Sequence, residues 1–271
     1  MDRGALQRGF TLVELVIVIS ILGVLATMIA GAVFDALEMA DTAACASNLR
    51  QLGFAVRMYL NDNDGLLFPI RQPNDPATPE KEAKLWYFGY ETGTEAGSTA
   101  EGERVLDKTY SQLYPYVGAD GIEICPAFDY YGSFKAKFRG PWWNYGVNKE
   151  LAPDLLVEPN GRCYGLHELR GPDASRTVVF ADAAQVNTFQ APASPSHPLV
   201  EEWHYVQPPD SQWPDYPHVH FRHGGKANVL FADWHVEAMS PAEGSFDSRL
   251  PEARIGHLAP SEVLFRPRGV Q

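Results

Sequence analysis

Residues 15–34 form a run of twenty consecutive uncharged residues, sixteen of them aliphatic, aromatic, methionine or alanine. At about 1.5 Å per residue a helix over this run covers roughly 30 Å, the thickness of a bilayer hydrocarbon core. The run is therefore read as a single membrane span. Arg3 and Arg8 precede it, so the positive-inside rule holds the N-terminus in the cytoplasm and sends the remainder across. The rest of the 271 residues has an ordinary globular composition: 45% of the whole chain is hydrophobic and 21% charged, which excludes disorder and a multi-span protein. A formal net charge of −12 argues against nucleic acid as a partner, because a polyanion is gripped by clustered Lys and Arg.

A secretory signal cut near Ala30-Gly31-Ala32, or a plain anchor, leaves Glu14 unexplained. This carboxylate lies inside the apolar stretch, directly after Gly9-Phe10-Thr11-Leu12-Val13, where insertion costs about 2.5–3.5 kcal/mol. A short basic leader, then Arg8-Gly9-Phe10-Thr11-Leu12-Val13-Glu14-Leu15, then the apolar run resembles the N-terminal signature of type IV prepilins and type II secretion pseudopilins. The resemblance implies cleavage between Gly9 and Phe10 by a prepilin peptidase and N-methylation of Phe10. It also implies assembly with copies of itself and other pilin-like subunits, with Glu14 meeting the terminal amine of a neighbouring subunit.

Beyond the run, residues 35–60 contain no Pro and only Gly53 as glycine, and Leu37, Ala40, Ala44, Leu49, Leu52, Val56 and Tyr59 recur at spacings of three to five. This pattern predicts an amphipathic continuation of the same helix. Asn61-Asp62-Asn63-Asp64-Gly65 ends it; the run does not fit an EF-hand loop, since Leu60 and Arg71 fall at ligand positions. The expected organisation is a leader at 1–9, a transmembrane and filament-core helix at 10–34, an amphipathic stem at 35–62 and an extracytoplasmic head at 63–271. In the head, residues 177–181 and 228–232 read as strands, 106–117 as a short helix, and 73–79 and 91–103 as surface loops. The fold class is α+β and pilin-like, a long N-terminal helix packed against a small antiparallel sheet with long loops.

A second resemblance lies near the C-terminus. Arg222-His223-Gly224-Gly225-Lys226 through Ala232-Asp233-Trp234-His235-Val236 is similar to the end of a prepilin-like subfamily abundant in planctomycetes, in which a histidine is followed after nine residues by Asp-Gly. His223 and Asp233 have that spacing, and Trp234 stands where the subfamily has glycine. An altered turn with a partly buried indole is expected, because Trp tolerates positive φ poorly. Further matches run through Cys45-Ala46-Ser47-Asn48-Leu49, Ile124-Cys125-Pro126, Asn144-Tyr145-Gly146-Val147-Asn148 and Ser175-Arg176-Thr177-Val178-Val179-Phe180-Ala181-Asp182. Cys125 could bridge to Cys163 or to Cys45. The resemblance favours Cys45 with Cys125, since both lie in matching motifs.

His218, His220 and His223 cluster in sequence near His204, His235 and Asp233 and could hold zinc with a carboxylate. The preferred reading is that His223 and Asp233 hydrogen-bond across the hairpin base, with no metal and no cofactor. No nucleophile elbow, phosphate loop or dinucleotide fingerprint is present. The expected function is a non-catalytic filament subunit in the inner membrane with a periplasmic head. The alternatives are a membrane-tethered glycan-binding protein using exposed Trp142, Trp143, Trp203, Trp213 and Trp234, and an anchored metalloenzyme using the three histidines.

Overall fold

The computed structural model describes residues 10–72, 84–92, 102–117, 122, 124–140 and 142–267. The leader, the loop at 73–79 and most of the loop at 91–103 lie outside them. The chain divides into two compact units, one ending at Ala40 and one running from Asp41.

Helix α1 covers Leu12–Asp62, 51 residues without a break. Its end follows from the Asn/Asp/Gly run. Asp64 and Gly65 adopt positive φ, and the Gly65 N–H donates to the Leu60 carbonyl at 2.8 Å, the six-residue closure of a Schellman motif. The buried stripe in the second unit is shorter than the apolar spacing suggests. It comprises Cys45, Asn48, Leu49, Leu52, Gly53, Ala55, Val56 and Leu60, whereas Leu37 is exposed and Ala44 too.

In the second unit α1 lies on a five-stranded sheet. Its members are β5 (Tyr145–Asn148), β6 (Val178–Asp182), β9 (Tyr205–Val206), β11 (Ala227–Phe231) and β12 (Val236–Met239), in the order β12-β11-β6-β5-β9. All neighbours pair antiparallel except β5 with β9. Leu230 joins Leu49, Leu52 and Val56 in one apolar cluster, while Ala227, Val229 and Phe231 join Val219, Phe221, Leu258 and Val263 in another. This period-two alternation shows that both faces of the sheet are covered, so the sheet is a middle layer and not simply a surface laid on a stem. The pairing of β11 with β6 steps from Leu230↔Phe180 to Phe231↔Val178, leaving Val179 as the extra residue of a bulge. The bulge turns both Val179 and Phe180 toward the helix side.

The remaining strands form smaller sheets. β1 (Arg71–Gln72), β2 (Lys84–Trp86), β3 (Gly89–Thr92) and β4 (Val105–Asp107) make an antiparallel meander. β7 (Ala184–Asn187) pairs with β8 (Leu199–Glu202), and β10 (Val219–His220) with β13 (Ile255–Gly256). Two expectations change here. Residues 106–117 hold the end of a strand, a 3-10 turn at Lys108–Tyr110 and a four-residue helix α2 (Tyr114–Val117); Asp107 caps the turn by accepting from the Thr109 N–H. Glu91 is not on a surface loop but buried in β3, accepting from the Trp86 indole and from Arg104. A third short helix, α3, covers Leu166–Leu169.

Gly53 and Trp234 meet across the interface between α1 and the sheet. A Cβ on Gly53 would lie 3.2 Å from a Leu230 methyl and 3.6 Å from the Trp234 ring. Trp234 occupies the left-handed region at φ 75°, with its N–H on the Phe231 carbonyl and the Phe231 N–H on the His235 carbonyl. This is a three-residue hairpin loop whose last position favours glycine. Packing the indole on the helix offsets a backbone cost of about 1–2 kcal/mol. Both Trp234→Ala and Trp234→Gly lose the ring, so their difference isolates the backbone. Gly should be the more stable by about 1 kcal/mol in denaturant unfolding, the reverse of the order at a position with negative φ.

Candidate functional site

At the start of α1, Thr11 and Glu14 form a reciprocal cap. The Glu14 N–H donates to Thr11 Oγ1 at 3.3 Å, and Glu14 Oε2 accepts from the Thr11 N–H at 2.8 Å and its hydroxyl at 2.7 Å. The Thr-x-x-Glu spacing of this capping box is legible in the chain, though the resemblance drew attention to Glu14 alone. Phe10 is exposed, and Gly9 lies outside the described residues. From Leu12 to Phe34 the large apolar side chains are exposed, and α1 is long and apolar enough to cross a membrane.

The second set of residues lies where α1 meets the head. Cys45 on α1, Cys125, Asp182 at the end of β6 and His223 are all buried, with one ligand-type atom from each within 4.8 Å of the others. Local structure explains each placement. Gly224 and Gly225 both take positive φ, and His223 exchanges two backbone hydrogen bonds with Lys226, a tight primed hairpin that turns the His223 ring inward. The Cys125 N–H is held by the Asn144 side chain at 3.1 Å. Asp182 is the hub. Its Oδ1 accepts from Arg222 at 2.7 Å and from the Cys45 thiol at 3.0 Å. Its Oδ2 accepts from the Asn228 N–H at 2.7 Å and lies 3.2 Å from His223 Nε2.

Burial pushes the Asp182 carboxyl up, but the Arg222 guanidinium and His223 outweigh it and hold it down to about 2. Burial likewise raises the Cys45 thiol. Cys125 is drawn the other way, down to about 5: burial opposes this, and the Cys45 thiol, Arg222 and His223 overcome it. The arrangement is not a nucleophilic triad. His223 Nε2 faces both Cys125, at 3.4 Å, and Asp182, while Nδ1 faces Thr42 Oγ1 at 3.3 Å, whereas a triad needs the acid and the nucleophile on opposite ring nitrogens.

The sequence motif is split between two places. The expected His223–Asp233 contact is not made: the inward turn gives His223 to Asp182, and Asp233 sits in the next hairpin loop, paired with His235. His218, His220 and His223 do not converge either. The His218 ring stacks on Trp203 at 5.4 Å, and burial drives it well below its ordinary range. His220 lies beside Arg222 at 3.1 Å and edge-on to Phe128, where burial first and then Arg222 push it down to about 3. Cys163 is half-buried and outside the cluster. Trp142 and Trp143 are buried in the core, Trp203 and Trp234 are partly buried, and Trp213 is exposed, so the five indoles line no common groove. Asp182, Arg222, Thr42 and Asn228 were not singled out from sequence; the Asp182 signal lay in a quoted motif as a lone acid closing an apolar strand.

Asp182→Asn leaves Arg222 charged and buried without a counter-charge. It should cost about 3–5 kcal/mol in denaturant unfolding of the detergent-solubilised chain, whereas breaking the exposed Arg139–Glu103 pair should not be measurable. Glu202 generates a pH prediction. It accepts from the Tyr130 hydroxyl at 2.6 Å and the Trp142 N–H at 3.2 Å, yet burial pushes its carboxyl from 4.5 up to about 7. The folded chain then keeps a proton that the unfolded chain releases, so this contribution is full below 4.5 and is lost as pH rises through 7. Glu202→Gln should flatten the stability profile in that window.

The comparisons with known proteins bear on the helix start. Residues 5–30 match the family model described as the prokaryotic N-terminal methylation motif. The chain is 36% identical over 89 residues to type II secretion system core protein G of Dickeya chrysanthemi, covering 30% of this chain and 58% of that protein. It is 43% identical over 63 residues to the protein of the same name from Pectobacterium carotovorum subsp. carotovorum, covering 23% and 40%. The chain thus spans about half the length of the curated relatives it matches. No solved structure matches. With its methylation motif at the start of a long apolar helix, followed by small antiparallel sheets, the chain has an α+β, pilin-like fold and is similar at its N-terminus to type II secretion system core protein G.

Proposed function

We propose that the chain is a non-catalytic structural subunit, cut between Gly9 and Phe10 by a prepilin peptidase, N-methylated at Phe10, and assembled with other pilin-like subunits into a type II secretion pseudopilus or a type IV pilus. The observation that carries the reading is the surface of α1. None of its most apolar stretch is buried, although Cys45, Leu49, Leu52, Ala55, Val56 and Leu60 further along the same helix are completely buried. So long an apolar surface is stable only in lipid or against other helices. The proposed division is a leader at 1–9, a membrane and filament segment at 10–34, a stem at 35–62 and an extracytoplasmic head at 63–271. The N-terminus faces the cytoplasm before processing. The similarity to type II secretion core protein G supports the filament reading.

Glu14 has a role at both stages. In its own chain its carboxylate is held by Thr11. In a filament the new amine at Phe10 of an adjacent subunit takes up the same carboxylate, and an ion pair in low dielectric outweighs a hydroxyl contact. Mass spectrometry of the mature chain should find it starting at methylated Phe10, and Gly9→Val should leave the leader in place. Glu14→Ala should be processed normally but depleted about tenfold or more from sheared filaments, a loss of at least ~1.4 kcal/mol. Thr11→Val should assemble normally. Incorporation of Glu14→Ala at the wild-type level would sink the pairing role.

A further inference from the structure

We infer that Cys45, Cys125, Asp182 and His223 form a structural zinc site that ties the helical stem to the head. The four ligands come from sequence positions separated by 80, 57 and 41 residues, so no local motif announces them, yet their ligand atoms gather within 4.8 Å and all four residues are buried. A zinc ion with ligands at about 2.0–2.3 Å sets them about 3.3–3.8 Å apart at tetrahedral angles. The separations of 3.0 Å from Cys45 Sγ to Asp182 Oδ1, 3.2 Å from Asp182 Oδ2 to His223 Nε2 and 3.4 Å from Cys125 Sγ to His223 Nε2 bracket that spacing with the 4.8 Å limit of the whole set, so small side-chain shifts bring the four ligands to it.

The donor chemistry selects the metal. Two thiolates, one imidazole and one carboxylate suit zinc and disfavour calcium or magnesium, which take oxygen. Four protein ligands close the coordination shell, as structural sites do. The supporting groups are also in place. Thr42 Oγ1 faces His223 Nδ1; with the Nδ1 proton donated there, the Nε2 lone pair points into the cluster. The Asn228 N–H donates to Asp182 Oδ2 and fixes the carboxylate's orientation. Charge closes as well: two thiolates and a carboxylate contribute −3, zinc +2, and the buried Arg222 beside Asp182 the last +1. The two thiol protons leave with solvent as the ion enters. A cavity of about 280 Å³ is lined in part by Ala127 and Arg222, close in sequence to Cys125 and His223.

A disulfide between Cys45 and Cys125, the pairing favoured by the motif matches, is the competing fate of the same two sulfurs. Full-length chain would be purified in detergent without chelators, its zinc content measured, and peptides mapped under non-reducing conditions. One zinc per chain with both thiols free supports the site, and a Cys45–Cys125 disulfide in the metal-free protein overturns it. Reduced, metal-stripped chain would then be titrated with Zn²⁺ alone and with Co²⁺ alone. One equivalent of Zn²⁺ should bind, and Co²⁺ should give tetrahedral ligand-field bands with thiolate charge transfer. Cys125→Ser and His223→Gln should each weaken binding about 10–100-fold or more, while Cys163→Ser changes nothing. Should a variant fail to fold, the wild-type cobalt spectrum decides by itself: octahedral bands without charge transfer, or no saturable binding, overturn the inference.

Discussion

The buried pair of Asp182 and Arg222 is the interaction on which the head depends. Asp182 closes β6 at the edge where the sheet meets α1, and its two oxygens take up Arg222, Cys45, Asn228 and His223. Arg222 extends the same knot to the carbonyls of Asn144 and Ala183. A carboxylate without these partners could not remain ionised in that position. The charges thus fix which hairpin, which strand end and which helix turn come together, while the apolar clusters on either side supply the bulk of the burial.

Much of the architecture is legible from local pattern. The uncharged run, the proline-free continuation and the Asn/Asp/Gly stop delimit α1 to within a few residues, because each acts through backbone geometry close in sequence. The strands at 177–181 and 228–232 are legible for a similar reason: short apolar, partly β-branched runs bounded by turn residues have few other places to go. The coverage of both sheet faces is harder to read. Val178, Val179, Phe180 and Ala181 are all apolar, and a bulge at Val179 breaks the alternation that would assign them to faces.

The candidate site divides along the same line. Glu14 and its neighbours are contiguous, so their pattern is readable and was matched to a known signature. The buried cluster draws one group from each of four distant segments, and only the fold brings them together. Sequence proximity pointed instead to His218, His220 and His223, but His218 precedes β10, His220 ends it and His223 belongs to the turn that follows, so each meets different surroundings: His218 meets Trp203, His220 meets Phe128, and His223 turns under the helix. Trp234 shows the reverse relation. The departure from glycine was visible in the chain, but its cause, an indole laid against the helix, required the structure.

Gly53 has a consequence for how the helix is seated. An added methyl there would press on Leu230, and no other glycine occurs on the helical segment inside the head. Rotating α1 by one residue, or sliding it by a turn, would carry a bulkier side chain into the same space. The missing side chain therefore works as a notch. It lets the helix drop into its cradle in one rotational setting, and in that setting Cys45, two turns earlier, faces Asp182.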